Sequence, residues 1–286
     1  MPRRVEELLL FWVSACASAK PSDASMLEFL RWISAAGNSV WAHLEAAVLG
    51  WRMPGGTAAL YEAIAADIGG EIILDAAVRA VRADGDSVIV TTAGAEHEAA
   101  SAVVTVPPGV LPSIEFTPSL SPAKRRAAER NHAGQGVKAW AVARNVSDDL
   151  VAMGHGTQLD YAGAMQPYEG GVLLVCFGPS AADLDVTDDA AVRAAVRELA
   201  PEADVVAVHA HDWARDPYSR GTWAFLRPGQ VHDAWSALRA PHERVHFAGA
   251  HTALRWPSFM DGAIESGHRV AREIEAADRP PARSGR

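Results

Sequence analysis

Two cysteines, Cys16 and Cys176, are all that the 286 residues contain. Two thiols cannot build a disulfide scaffold or a four-thiolate zinc site, and a reducing, cytoplasmic setting is expected. Positive charge is also scarce, with 26 Lys and Arg against 35 Asp and Glu for a net charge of −9. A nucleic-acid binder carries the opposite sign, so no nucleic-acid partner is expected. Long apolar runs are missing. The basic start Arg3-Arg4 and the run Leu8–Val13 have the outline of a signal peptide, but Glu6 and Glu7 interrupt the boundary. The run also falls far short of the ~18 apolar residues of a membrane span, so an amphipathic helix is expected there. No G-x-S-x-G nucleophile elbow occurs.

What is present is globular in kind: 49% of residues are hydrophobic and 21% charged, which excludes general disorder. Val5, Leu8, Leu9, Trp12 and Val13 recur at helical spacing, and Ser25 precedes a second helix carrying Phe29, Leu30 and Ile33. Gly50–Gly56 breaks the pattern, after which Thr57 is placed to cap a third helix ending at Gly69-Gly70. Ile72–Leu74, Val78–Val81 and Ser87–Thr92 read as short strands with a turn at Asp84-Gly85. Val103–Val106, stopped by Pro107-Pro108, reads as the buried last strand of that antiparallel meander. A helix follows over 121–132, with Pro122 in its first turn. Strands are expected over Val137–Val146, Val172–Phe177, Val205–His209 and Val245–Gly249, and helices over 187–199 and Phe259–Glu275. The class is mixed α and β. Residues 278–286 read as a disordered tail.

Few single residues carry chemistry unaided. Gly134-Gln-Gly-Val-Lys-Ala139 matches the letters of G-x-G-x-x-A, but a helix precedes it and a strand follows, the reverse of a phosphate cradle. His209 and His211 share a strand face without a third zinc ligand, so a hydrogen-bonded or solvated pair is expected. Cys16 and Cys176 read as packing residues. Lys138 stands in an otherwise apolar strand, either at an edge with its stem snorkelling or in a functional role. Ser258-Phe-Met-Asp261 has the pattern of a capping box at the start of the last helix, a place suited to an anionic or electron-accepting ligand.

The segment Arg244-Val-His-Phe-Ala-Gly-Ala-His-Thr-Ala-Leu-Arg-Trp-Pro-Ser-Phe-Met-Asp-Gly-Ala-Ile-Glu-Ser-Gly-His-Arg-Val-Ala-Arg-Glu-Ile274 closely resembles the C-terminal signature of flavin-containing amine oxidases. Met53–Thr57 with Asp75–Val81, Val103–Pro108, and Trp213–Trp223 with Arg227-Pro-Gly229 resemble further family segments in the same order. The resemblance implies an FAD-linked amine oxidase fold, α/β and α+β in class, in which the N-terminal ADP-binding βαβ unit with G-x-G-x-x-G is missing. It divides the chain into substrate-domain helices (1–52), an FAD-domain helix and meander (53–112), the substrate domain (113–241) and a C-terminal FAD-binding strand and helix (242–277). The missing parallel strands are expected to leave a buried sheet exposed. A fragment, a mis-called gene start or one half of a split enzyme fits this pattern, with a complementing subunit supplying the dinucleotide motif.

By the same resemblance Lys138 holds a water against flavin N5, and Trp223 and Phe259 sandwich the substrate amine. Trp213 flanks the flavin, and Val78 makes an adenine-side contact. Thr222 stands where some members carry the flavin-linked cysteine, which implies non-covalent FAD. Gly249, Ala250 and His251 form the turn after the last strand, with His251 in place of the usual acidic residue. Met260 and Asp261 open the helix facing the flavin N1/O2 edge. The implied reaction is oxidative deamination of a small-molecule amine, with O2 reduced to hydrogen peroxide. The alternative is a non-catalytic remnant or partner subunit that binds no FAD alone, and a third reading is a flavin enzyme acting on a carbon–carbon bond.

Overall fold

Alternation along one strand decides where the main core forms. In β6 (Val137–Arg144) the side chains of Val137, Ala139, Ala141 and Ala143 are buried on one face, while Lys138 and Trp140 occupy the other. The computed structural model, which describes residues 3–46 and 53–277, sets β6 inside a five-stranded sheet ordered β10-β6-β9-β8-β7. The other strands of the sheet are β7 (Val151–Met153), β8 (Tyr161–Tyr168), β9 (Gly171–Gly178) and β10 (Asp204–Ala210), and every pairing in it is antiparallel. Helix α6 (Asp189–Leu199), capped by the Asp188 carboxylate, covers the alanine face with Val192, Ala195 and Val196. β8 was not expected: Gly163 and Pro167 dilute its pattern, and pairing with β9 forms the strand instead, with a register shift between Ala164 and Gln166.

Helices α1 (Arg3–Ala17), α2 (Met26–Ala35) and α3 (Val40–Leu44) form a second cluster with Phe225 and Ala133. Ser25 and Ser39 cap α2 and α3 through their hydroxyls. α1 faces inward differently from expectation. Phe11, Val13, Ser14 and Ala17 are buried, whereas Val5, Leu8 and Leu9 are exposed. The aromatic contact of Phe11 with Tyr161 of β8 sets that rotation.

A second sheet runs β3-β2-β1-β5, with β1 (Val78–Asp84), β2 (Ser87–Thr92), β3 (Glu96–Ala99) and β5 (Glu115–Thr117). Its antiparallel meander was legible, and β5 adds a parallel strand beside β1. Three expectations fail around it. Ile72–Leu74 is not a strand and lies exposed, because no described strand pairs with it. Val103 is not buried at the end of the meander: β4 (Ala102–Val104) leaves it to pair in parallel with β11 (Val245–Phe247), and Val103 is 45% exposed. Thr57 makes no side-chain cap because its backbone is already helical, and α4 (Ala58–Asp67) buries no residue.

Helix α5 (Pro122–Arg130) follows a Ser121 cap and ends at Asn131, whose φ of 52° turns the chain toward β6. Short helices α7 (Gln230–Asp233) and α8 (Trp235–Arg239) lead to β11, and α9 (Met260–Ala277) closes the chain against it. The expected tail 278–286, and the part of the Gly50–Gly56 break over 50–52, lie outside the described residues.

Candidate active site

Two loops meet over the aromatic cluster. One carries Thr222 and Trp223 and the other Trp256, Ser258 and Phe259. Ser258 Oγ donates to the Ala224 carbonyl at 2.5 Å and so joins the two. This replaces the expected capping box. Ser258 sits at φ 70° before a helix that begins at Met260, which takes its hydroxyl away from the helix N–H groups. Trp256 (φ 47°) and Arg220 (φ 49°) are also left-handed, a cluster of backbone strain on the loops that present the rings.

The Trp223 indole Nε1 donates to the Cys16 carbonyl at 2.8 Å, fixing its ring against α1. Its edge meets Phe177 of β9 at 6.0 Å. Lys138 lies opposite Phe177 in register, with its Nζ 5.7 Å from the Phe177 ring centroid and 5.0 Å from that of Trp140. β6 is an interior strand, so the edge reading of Lys138 is excluded. Burial holds its pKa below the usual lysine value. Phe259 packs on Trp32 at 5.0 Å and on Trp256 at 5.5 Å. Trp223 and Phe259 thus belong to one cluster, with Lys138 reached through Phe177.

The glycines of the G-x-G-x-x-A segment serve close packing. A Cβ on Gly134 would lie 2.1 Å from the Trp223 carbonyl oxygen, and one on Gly136 2.4 Å from that of Gly178. Thr222 donates its N–H to the Gly134 carbonyl, while its hydroxyl oxygen is buried without a described partner. Trp213 is exposed beside this loop, accepting the Gly221 N–H and touching His211 edge-on. His211 pairs with Asp216 at 3.0 Å.

Gly249 (φ 111°) turns the chain after β11, and its N–H donates to Ser266 Oγ of α9. Ala250, His251 and Thr252 make one short turn. Burial first, then the charges of Lys124 and Arg269, lowers the His251 pKa to about 4. It is neutral near pH 7 and supplies no carboxylate at this position. Met260 and Asp261 are exposed at the start of α9. The Glu265 carboxylate accepts the Leu254 and Arg255 N–H groups at 2.8 Å each and holds the loop before them. A cleft of about 560 Å³ runs from Val103 of β4 and Thr105 just after it, past Gly249 and Ala250, to Ala263, Gly267 and Ala271. Val78 begins β1, and no described contact joins it to the aromatic loops. Both cysteines are free thiols whose pKa burial pushes up to about 12, consistent with packing.

The sequence reading missed Trp32, His43 and Trp256, whose rings frame Phe259, and His132, which is fully buried under the Thr222 loop. Phe29, Trp32 and Ile33 share a helix face, so Trp32 was findable from periodicity. The two histidines carried no motif.

Residues 4–275 match the family model described as flavin containing amine oxidoreductase. The chain belongs to that family. A pseudooxynicotine dehydrogenase of Pseudomonas sp. is 30% identical, over 96% of this chain and 56% of that protein. An (S)-6-hydroxynicotine oxidase of Paenarthrobacter nicotinovorans is 32% identical, over 93% of this chain and 62% of that protein. A triple mutant of putrescine oxidase shares the fold at a TM-score of 0.82 and 21% identity, over 95% of this chain and 64% of that one. This family member therefore spans 56% to 62% of the length of those two curated relatives. No described helix is long and apolar enough to cross a membrane.

Proposed function

We propose that this chain forms the flavin-facing and substrate-facing part of an FAD-dependent amine oxidase. The observation that carries the reading is the hydrogen bond from Ser258 to Ala224, which holds the Trp223 and Phe259 loops over one aromatic cluster. Flat apolar rings favour the neutral amine, the form whose α C–H is oxidised. The half-buried Lys138 holds a water at the reacting edge, its amine made less basic by burial. The residues fit a flavin ring: small Gly249 and Ala250 border an open cleft, and the exposed first turn of α9 offers free N–H groups. Trp213, Thr222, His251, Met260 and Asp261 border the ring and its chain, and Val78 lies on the adenine side. Bound FAD would accept hydride from the amine and pass the electrons to O2, leaving an imine that hydrolyses. Thr222 has no thiol for a thioether, so the cofactor is held non-covalently. The names of the relatives support a small-molecule amine as substrate. Two free thiols suit a reducing, cytoplasmic setting.

The dinucleotide end of FAD needs a βαβ segment with G-x-G-x-x-G, on a longer form of this chain or on a partner. The edge of β4 that is unpaired among the described residues, its exposed Val103 and the cleft beside α9 support that division, in which 53–112 and 242–277 complete the FAD domain and 1–52 and 113–241 the substrate domain. The second reading, a subunit that holds no FAD alone, is favoured by neutral His251 in place of a carboxylate.

An absorbance spectrum tests both readings. The purified chain is mixed with FAD, alone and with a βαβ polypeptide carrying the glycine motif, and gel-filtered. Flavin bands retained by the chain alone, with peroxide formed on adding amines, support the oxidase. Flavin retained only in the complemented mixture identifies the subunit reading, and flavin retained in neither overturns the proposal.

A further inference from the structure

His43 lies on α3 and is only 4% exposed. Its ring stacks on Trp256 at 5.5 Å with 13° between the planes, meets Phe259 edge-on at 5.8 Å and touches Trp32 at 5.7 Å. A hydrogen bond to the Trp32 backbone engages one ring nitrogen as donor. The other, Nδ1, is buried with no partner among the described residues. Burial lowers the pKa, so the ring is neutral near pH 7 and Nδ1 presents a bare lone pair. A buried acceptor without a donor is costly, and sites that retain one use it to select a ligand that supplies the donor. Trp32 also packs on Phe225 at 5.2 Å, whereas Phe259 is only half-buried and Met260, the next residue, is exposed.

We propose that His43 is a specificity-determining residue whose Nδ1 accepts a hydrogen bond from a second N–H or O–H group on an amine seated against Phe259. This rests on the reading of Phe259 as a substrate contact. The favoured class is then amines that also carry a hydroxyl or a further N–H. A plain hydrocarbon amine leaves Nδ1 unpaired, and a carboxylate at that point opposes it lone pair to lone pair.

The test uses the full chain, with FAD and the βαβ polypeptide present, and a phenylalkylamine with and without a ring hydroxyl. Binding is read from quenching of tryptophan fluorescence. The hydroxylated amine binds about tenfold more tightly to the wild type. His43→Leu removes that preference, and His43→Asn, which keeps an acceptor, restores part of it. Equal binding of the two amines to the wild type overturns the inference and leaves the Phe259 reading standing, as does a preference that survives in His43→Leu. Failure of both amines to bind overturns the Phe259 reading and the inference together. The wild type alone gives a second readout if the variants do not fold. The Nδ1 resonance of 15N-labelled His43 moves on adding the hydroxylated amine and not the plain one; a resonance that moves with neither overturns the proposal.

Discussion

Lys138 shows how one strand position acquires a special amine. Val137 and Ala139 on either side of it are pulled into the core, and the alternation turns Lys138 toward Phe177 and Trp140. If it holds a reacting water, Lys138→Met lowers kcat for flavin reduction by more than it raises the amine Kd, as stopped-flow measurement would show; an unchanged reduction rate removes that role. His132 is a residue-scale determinant of a different kind. It is buried with neither ring nitrogen hydrogen-bonded among the described residues, and burial, with the charges of His251 and Arg227, lowers its pKa from 6.5 to about 3. Between those values the unfolded chain binds a proton that the folded chain excludes. Stability is therefore untouched above pH 6.5 and falls as the pH drops toward 3. From pH 7 to pH 5 the loss from this residue is about 2 kcal/mol. Urea unfolding of His132→Phe at the two pH values should show a drop smaller by that amount.

Single elements here are held by ties to distant chain as much as by their own propensities. Ser258 has the letters of a helix cap, yet its hydroxyl bonds Ala224 instead and the helix starts without it. Ser258→Ala should lower stability by about 1 kcal/mol in chemical denaturation, the scale of one hydrogen bond. It should also weaken amine binding, because the Trp223 and Phe259 loops lose their link. The Gly134 turn sets the same geometry from the other side. Gly134→Ala drives a methyl to 2.1 Å from the Trp223 carbonyl oxygen, where backbone must move. A cost of about 1–3 kcal/mol in unfolding and an altered Trp223 fluorescence maximum are expected.

Across the whole molecule, large apolar side chains stay exposed, Val103 of the two-stranded parallel sheet among them. Ile72, Ile73, Leu74, Val103 and Ile264 are all exposed, and β4 has β11 as its only described neighbour. An apolar side chain exposed beside an unpaired strand edge is a candidate interaction surface. The chain should bind the dye ANS strongly, and a βαβ polypeptide carrying G-x-G-x-x-G should reduce the dye signal as it pairs along β4. Val103→Lys, at an exposed position, should leave the thermal midpoint unchanged while reducing that pairing about tenfold. A dye signal unaffected by the polypeptide would argue that the β4 edge is not its docking site.

The sequence by itself determined most elements, because strong periodicity and punctuation are local properties. Ser25 before Phe29 and Ile33, Asp84-Gly85 between two β-branched runs, and Pro122 after Ser121 each encode their structure within a few residues. It also showed the family, which the match over residues 4–275 bears out, and from that resemblance it suggested roles for Lys138, Trp223 and Phe259. Tertiary structure decided what depends on partners far along the chain. Ile72–Leu74 has the composition of a strand but no neighbour to pair with among the described residues, whereas Tyr161–Tyr168 lacks the pattern and is a strand because β9 lies beside it. The His43 Nδ1 and the His132 ring, both without partners among the described residues, were equally out of reach, since hydrogen-bond satisfaction belongs to packing and no spacing of letters encodes it.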